Sequence, residues 1–191
     1  MLEKYDIILA SNSPRRKQLL EGLGIKFRTL TIPNLDESYP DDLKGGEIPL
    51  YLAQKKSQAY EQLLLDDTMI ITADTIVWND GHVLGKPKSR EEAIRMLQSL
   101  SGHSHQVYTG ACVKTKAKSV SFCCESTVKF SPLTLDEIEY YVDNYKPFDK
   151  AGSYGIQEWI GYVAVESMEG SFYNIMGLPV HQLYVTLKQF V

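Results

Sequence analysis

The sequence is poor in cysteine, has no long apolar run and carries no excess of basic charge, and each shortage closes off a class of protein. Only three cysteines, Cys112, Cys123 and Cys124, occur in 191 residues. An odd count with two neighbours does not make a disulfide framework, and the spacing fits no common zinc pattern. Reduced thiols in a cytoplasmic protein are therefore expected. No apolar stretch approaches the roughly 20 residues of a membrane span. The opening "MLEKYDIILAS" is apolar for only a few residues and carries acids, unlike a secretory leader. Lys and Arg number 20 against 24 Asp and Glu, a formal charge of -4. A nucleic-acid coat would show a basic excess, whereas a local basic pocket is compatible with this balance. Neither GxxxxGK[ST] nor GxGxxG occurs, which argues against kinases and ATPases built on those loops.

What is present alternates between strand and helix signals. "YDIILA" reads as a buried strand, and Ser13, Pro14, Gly22 and Gly24 supply the cap, first position and stop of a following helix. "KFRTL" is a second strand. A longer helix is expected from Ile48 to Leu65, with Ile48, Leu52, Ala59 and Leu63 as its apolar stripe. "TMIITADTIVW" is strand-like but interrupted at Ala73-Asp74-Thr75, and "NDG" turns it back into "HVLG". Ser89 with Glu92 and Thr134 with Glu137 have capping-box spacing. Two long strands, Gln106–Lys114 and Ser119–Lys129, are expected to be joined by a turn near Lys116. "GYVAVESMEGS" reads as strand and turn, and "GLPVHQLYVTLKQF" as a terminal helix. The expected architecture is α/β, a mixed central sheet with flanking helices, in one domain covering residues 1–191.

Several residues sit where folding alone would not put them. Arg15, Arg16 and Lys17 crowd the first turn of a helix, where positive charge is unfavourable. With the free N–H groups that follow Ser13, they make a place for a polyanion at the end of a strand. The alternative is that all three point into water. Lys55 falls between Leu52 and Ala59 on the apolar face, either snorkelling or meeting an anion, while Lys56 lies nearer the edge. Asp74 breaks an otherwise core-like run beside Thr75. That suits metal binding or water activation, or else a turn with a self-bonding Asp. Lys86 in "LGKP" is flanked by Gly85 and Pro87, a stiff loop open to phosphate or an ordinary turn. Glu37 lies in an acidic loop. His82, His103, His105 and His181 have no zinc-protease or triad context and read as surface or structural.

As a set, "ASNSPRR", "DES", "LAQKKSQAY", "ITADTIV", "GKP", "YGIQE" and "GSFYNIMGLPV" resemble the Maf family of nucleoside triphosphate pyrophosphatases. The resemblance covers nearly the whole chain. It implies a fold of the inosine-triphosphate-pyrophosphatase type, with two lobes around a cleft, and hydrolysis of a nucleoside triphosphate to the monophosphate and pyrophosphate. Asp74 matches the catalytic acid, acting as base on water. Arg16, Thr75 and Gln157 match positions marking the branch that prefers dTTP and UTP, a sister branch preferring 7-methyl-GTP. Glu158 and Trp159 stand where smaller residues are expected. In this frame Ser11, Ser13, Arg15, Arg16, Lys55 and Lys86 would hold the phosphates. Glu37 and Asp74 would bind a divalent cation, Mg²⁺ or Mn²⁺. The Gln157 amide offers the donor and acceptor that an imide-edged pyrimidine needs. A homodimer is plausible from the family, and neither nucleic acid nor membrane is an expected partner. A nucleotide-binding regulator of cell division, without catalysis, is the alternative of a different class.

Overall fold

The computed structural model describes residues 2–191. Its seven strands are β1 (Asp6–Leu9), β2 (Arg28–Thr29), β3 (Thr68–Asn79), β4 (His82–Leu84), β5 (Ser104–Lys114), β6 (Ser119–Phe130) and β7 (Val165–Glu169). Its α-helices are α1 (Pro14–Glu21), α2 (Glu47–Gln58), α3 (Arg90–Leu100), α4 (Leu135–Tyr145), α5 (Trp159–Ala164), α6 (Phe172–Met176) and α7 (Val180–Leu187). The strands form one mixed sheet in the order β2-β1-β3-β5-β6-β7, with β4 beside β3. The expected α/β architecture, a central sheet with flanking helices, is present.

The chain divides into two compact units. The first comprises residues 1–74, 109–124 and 177–191. Here β1 runs parallel to both β2 and β3, with Leu9 opposite Thr29 and Ile71. Ile7, Ile8, Leu9, Met69, Ile70 and Ile71 are all buried, as parallel strands covered on both faces require. Ser13 caps α1 by accepting from the Arg16 amide, Pro14 opens the helix and Gly22 closes it. Gly110 seats α2 on the sheet: a Cβ there would collide with the Pro49 carbonyl and the Leu50 amide.

The second unit comprises residues 75–108 and 125–176. The β3–β4 hairpin turns through Asp80 and Gly81, both at positive φ. The capping box at Thr134 and Glu137 is complete, with both reciprocal bonds formed. At α3, Ser89 caps the Glu92 amide, while the Glu92 carboxylate accepts from the Lys88 amide instead. Leu97, Leu100, Val128, Phe130, Ile138 and Tyr141 form the centre of this unit's core.

Four local expectations change. β3 is continuous through Asp74 and is not interrupted there. The helix from Ile48 stops at Gln58, followed by a 3-10 turn at Glu61–Leu63. Its buried residues are Ile48, Pro49, Leu52, Ala53 and Ser57, and Tyr60 just past its end is buried too, whereas Ala59 and Leu63 are exposed. Residues 161–164, expected as strand, are the end of α5, and only β7 is extended. All three cysteines are free thiols, and burial pushes the Cys124 thiol upward.

Candidate active site

Asp74 is exposed to chemistry because its strand outruns its neighbour. The β1 ladder ends at Leu9 opposite Ile71, and the Ala10 amide gives a last bond to the Ile71 carbonyl. β1 then turns into Ser11–Ser13 while β3 continues. Strand alternation puts Thr72 and Asp74 on one face. Thr72 Oγ1 donates to the Ala53 carbonyl of α2 at 2.6 Å. Two residues further, Asp74 meets the residue nearly one turn further along that helix, Lys56. Lys56 Nζ donates to Asp74 Oδ1 at 2.6 Å and also pairs with Glu37 Oε1 at 2.8 Å.

The loop that brings Glu37 is tied at both ends. Tyr60 Oη accepts from the Ile32 amide at 2.9 Å and donates to the Leu30 carbonyl at 3.3 Å. Leu30, Ile32 and Leu35 pack against buried Ile8, Tyr60 and Ile70. At the far end Lys55 Nζ donates to Asp36 Oδ2 at 2.7 Å, to the Ser38 carbonyl and to the Ser38 hydroxyl. The Asp36 carboxylate also accepts from the Ser38 amide and hydroxyl, and these bonds hold it well below the usual carboxylate range.

The two lysines thus divide the work. Lys55 fastens an exposed loop, and Lys56, whose side chain is 14% exposed, joins the two candidate carboxylates. The sequence reading placed Lys55 on the apolar face and Lys56 at its edge; the structure reverses their depth. The signal was the four-residue spacing Ile48–Leu52–Lys56, which puts Lys56 on the buried stripe.

Arg16 belongs to the same unit. Its Nε donates to the Gly177 carbonyl at 2.8 Å, in a loop where Gly177 has φ of 117°. Desolvation lowers the Arg16 guanidinium from its ordinary value, and the charges of Asp74 and Glu37 oppose that shift. Arg15 and Arg16 are half-buried and Lys17 is exposed, so the basic first turn of α1 does not simply face water. Ser11 Oγ accepts from the Ser13 amide, which shapes the turn into α1.

The remaining candidates, Thr75, Lys86 and Gln157, lie in the second unit. Lys86 is exposed, next to Gly85, whose carbonyl accepts from the Gly152 amide. Gln157 Oε1 is buried without a hydrogen-bond partner in the structure. Its neighbour Glu158 is engaged: Oε2 accepts from Tyr141 Oη at 2.6 Å and Oε1 pairs with Lys150 at 3.0 Å. That pairing accounts for an acid at 158. Trp159 rests edge-on against Tyr140. His105 is fully buried, with Nε2 2.6 Å from Tyr154 Oη, and the other three histidines are exposed.

Glu37 and Asp74 bring carboxylates to one cationic centre. Among the described residues no group of three or more His, Cys, Asp or Glu is gathered for a metal ion. Two carboxylates without a third protein ligand fit Mg²⁺ held jointly with substrate phosphates and water, better than they fit an all-protein cage.

The family model described as Maf-like protein matches residues 6–190. The chain belongs to the Maf family. Among the Maf relatives, a protein named dTTP/UTP pyrophosphatase from Bacteroides thetaiotaomicron is 58% identical over 98% of this chain and 97% of its own length. One of the same name from Parabacteroides distasonis is 59% identical over 99% and 98%. The solved Ham1 protein of Staphylococcus aureus shares the fold, with a TM-score of 0.55 at 16% identity over 97% of this Maf chain and all of that one.

Proposed function

We propose that this Maf protein is a nucleoside triphosphate pyrophosphatase that hydrolyses dTTP and UTP to the monophosphate and pyrophosphate, removing unwanted nucleotides in the cytoplasm. The observation that carries the reading is the meeting of Asp74 and Glu37 at Lys56, within the electrostatic reach of Arg16. The pyrophosphatase names of relatives above 50% identity support the same chemistry. The whole chain acts as one catalytic domain. Among the described residues no helix is long and apolar enough to cross a membrane.

In this mechanism Asp74 takes a proton from the attacking water. The water oxygen bonds to the α-phosphorus, the bond from that phosphorus to the bridging oxygen breaks, and pyrophosphate leaves with the electron pair. Lys56 fixes the Asp74 carboxylate and keeps Glu37 beside it, although two carboxylates alone would repel. Arg15 and Arg16 hold phosphate oxygens as planar donors and Lys86 acts as a point charge, while Lys55, expected among the phosphate ligands, spends its three donors on Asp36 and Ser38 and serves the Glu37 loop instead. Ser11, Ser13 and the N–H groups opening α1 complete the phosphate contacts. Glu37 and Asp74 would hold a Mg²⁺ or Mn²⁺ ion, which supplies charge neutralisation on the phosphates when bound. Arg16, Thr75 and Gln157 set the preference for a pyrimidine.

The test is a kcat/KM panel of purified protein with Mg²⁺ against dTTP, UTP, CTP, dATP and 7-methyl-GTP, followed by pyrophosphate release. Fast turnover of dTTP and UTP is expected. Faster turnover of 7-methyl-GTP would reject the pyrimidine assignment, and binding without product would reject catalysis.

A further inference from the structure

Gln157 sits in a largely buried segment of the second unit that is held on both sides by hydrogen bonds. The Gly155 amide, two residues before it, donates to Tyr141 Oη at 3.0 Å. The same hydroxyl donates to Glu158 Oε2 at 2.6 Å, one residue after it. Glu158 Oε1 is held in turn by Lys150 Nζ at 3.0 Å. Lys150 is 7% exposed and Tyr141 fully buried, an unusual depth for a lysine. The backbone is packed as tightly as its polar groups are bonded. A Cβ on Gly161 of α5 would collide with the Ile156 carbonyl, and one on Gly155 would crowd the Lys150 side chain.

Within this clamp the Gln157 Oε1 atom is buried and unpartnered. An orphaned acceptor is costly, and a mobile loop would turn it toward water. Residues that immobilise the backbone on both sides of such an acceptor keep it available for an incoming donor. The Tyr141 hydroxyl, like any tyrosine, is protonated at neutral pH and donates to Glu158, and burial pushes it further upward.

We infer that Glu158, Tyr141 and Lys150 are positioning residues that fix Gln157 for reading the substrate's base. The inference rests on the reading of Gln157 as a base contact. Glu158 acts through Gln157 and touches no reacting atom.

The experiment compares Glu158→Ala and Tyr141→Phe with Gln157→Ala and the double variant Gln157→Ala/Glu158→Ala. Each is assayed for kcat/KM with UTP and CTP, and amide hydrogen exchange is followed at residues 155–157. Glu158→Ala is expected to lower the UTP-to-CTP ratio about tenfold, chiefly through KM for UTP, and to speed exchange at these amides. In the Gln157→Ala background it should change the ratio no further. Glu158→Gln keeps the side-chain shape and carries the same comparison if truncation unfolds the chain. An unchanged exchange rate, or an equal loss of ratio with and without Gln157, would overturn the positioning role. If Gln157→Ala alone leaves the ratio unchanged, the base-reading role of Gln157 falls by itself, and amide exchange still decides whether the clamp orders the loop.

Discussion

Replacing Lys56 with methionine separates the ion pair's contribution to folding from its contribution to turnover. The side chain keeps most of its length and loses its charge, leaving Asp74 and Glu37 facing each other. Removing one partner from a fully buried pair costs about 3–5 kcal/mol. Lys56 and Asp74 retain 14% and 15% exposure and Glu37 retains 62%, so water takes up part of the loss. A cost of about 2 kcal/mol is the scaled expectation. Asp74→Asn should cost less, about 1 kcal/mol or below, because Lys56 keeps Glu37 and an amide oxygen still accepts a hydrogen bond. Lys56→Met/Asp74→Asn should recover part of the Lys56→Met loss, since the stranded carboxylate is gone. Urea unfolding of all four proteins measures these terms. Pyrophosphate release should vanish in Asp74→Asn and fall roughly a hundredfold in Lys56→Met, whose base is present but unheld. A Lys56→Met protein as stable and as active as the parent would refute the reasoning.

Two further outcomes follow from the buried groups. Burial pushes His105 from 6.5 down to about 4. The unfolded chain therefore takes up this proton first as pH falls, so the contribution is complete above about pH 6.5 and declines between there and pH 4, by about 3 kcal/mol in all. Urea midpoints across that range should show the slope, and a His105→Gln protein that shows the same slope would assign it elsewhere. Gly110→Ala should destabilise the first unit by about 1–3 kcal/mol through the forced retreat of α2. An unchanged Tm in that variant would contradict the close seating of α2 on β5.

Much of the frame could be read from local chemistry. Ser13-Pro14 and Thr134-x-x-Glu137 declare helix starts because the caps are made by residues a few positions apart, and the structure places both. The "NDG" hairpin is legible for the same reason. Asp74 stands out in the sequence as a break in a strand, which it is not. Its exposure comes from β1 ending early, a property of the neighbour that cannot be seen along β3 alone. Lys55 and Lys56 show a subtler limit: adjacent residues on a helix differ by about 100° in direction, and because the helix ends at Gln58 the exposed Ala59 cannot mark its apolar side. The Glu158–Lys150–Tyr141 contacts join three separate points of the chain. Residues 161–164 look extended because Tyr162 and Val163 favour strands, whereas Gly161 lies against the Ile156 carbonyl in the opening of α5, which runs on to Ala164.

The two fastenings of the Glu37 loop have a bearing on how the chain can vary in length. Tyr60 pins the backbone at Leu30 and Ile32, and Lys55 pins it again at Asp36 and Ser38, leaving only a short bridge between. An extra residue within that bridge would bulge outward or drag the Glu37 carboxylate off its lysine. Past the second fastening, residues 40–42 are exposed and polar apart from one proline, and added length there can be absorbed without reaching the carboxylate. Insertions among variants of this chain should therefore accumulate after Ser38 and be scarce before it.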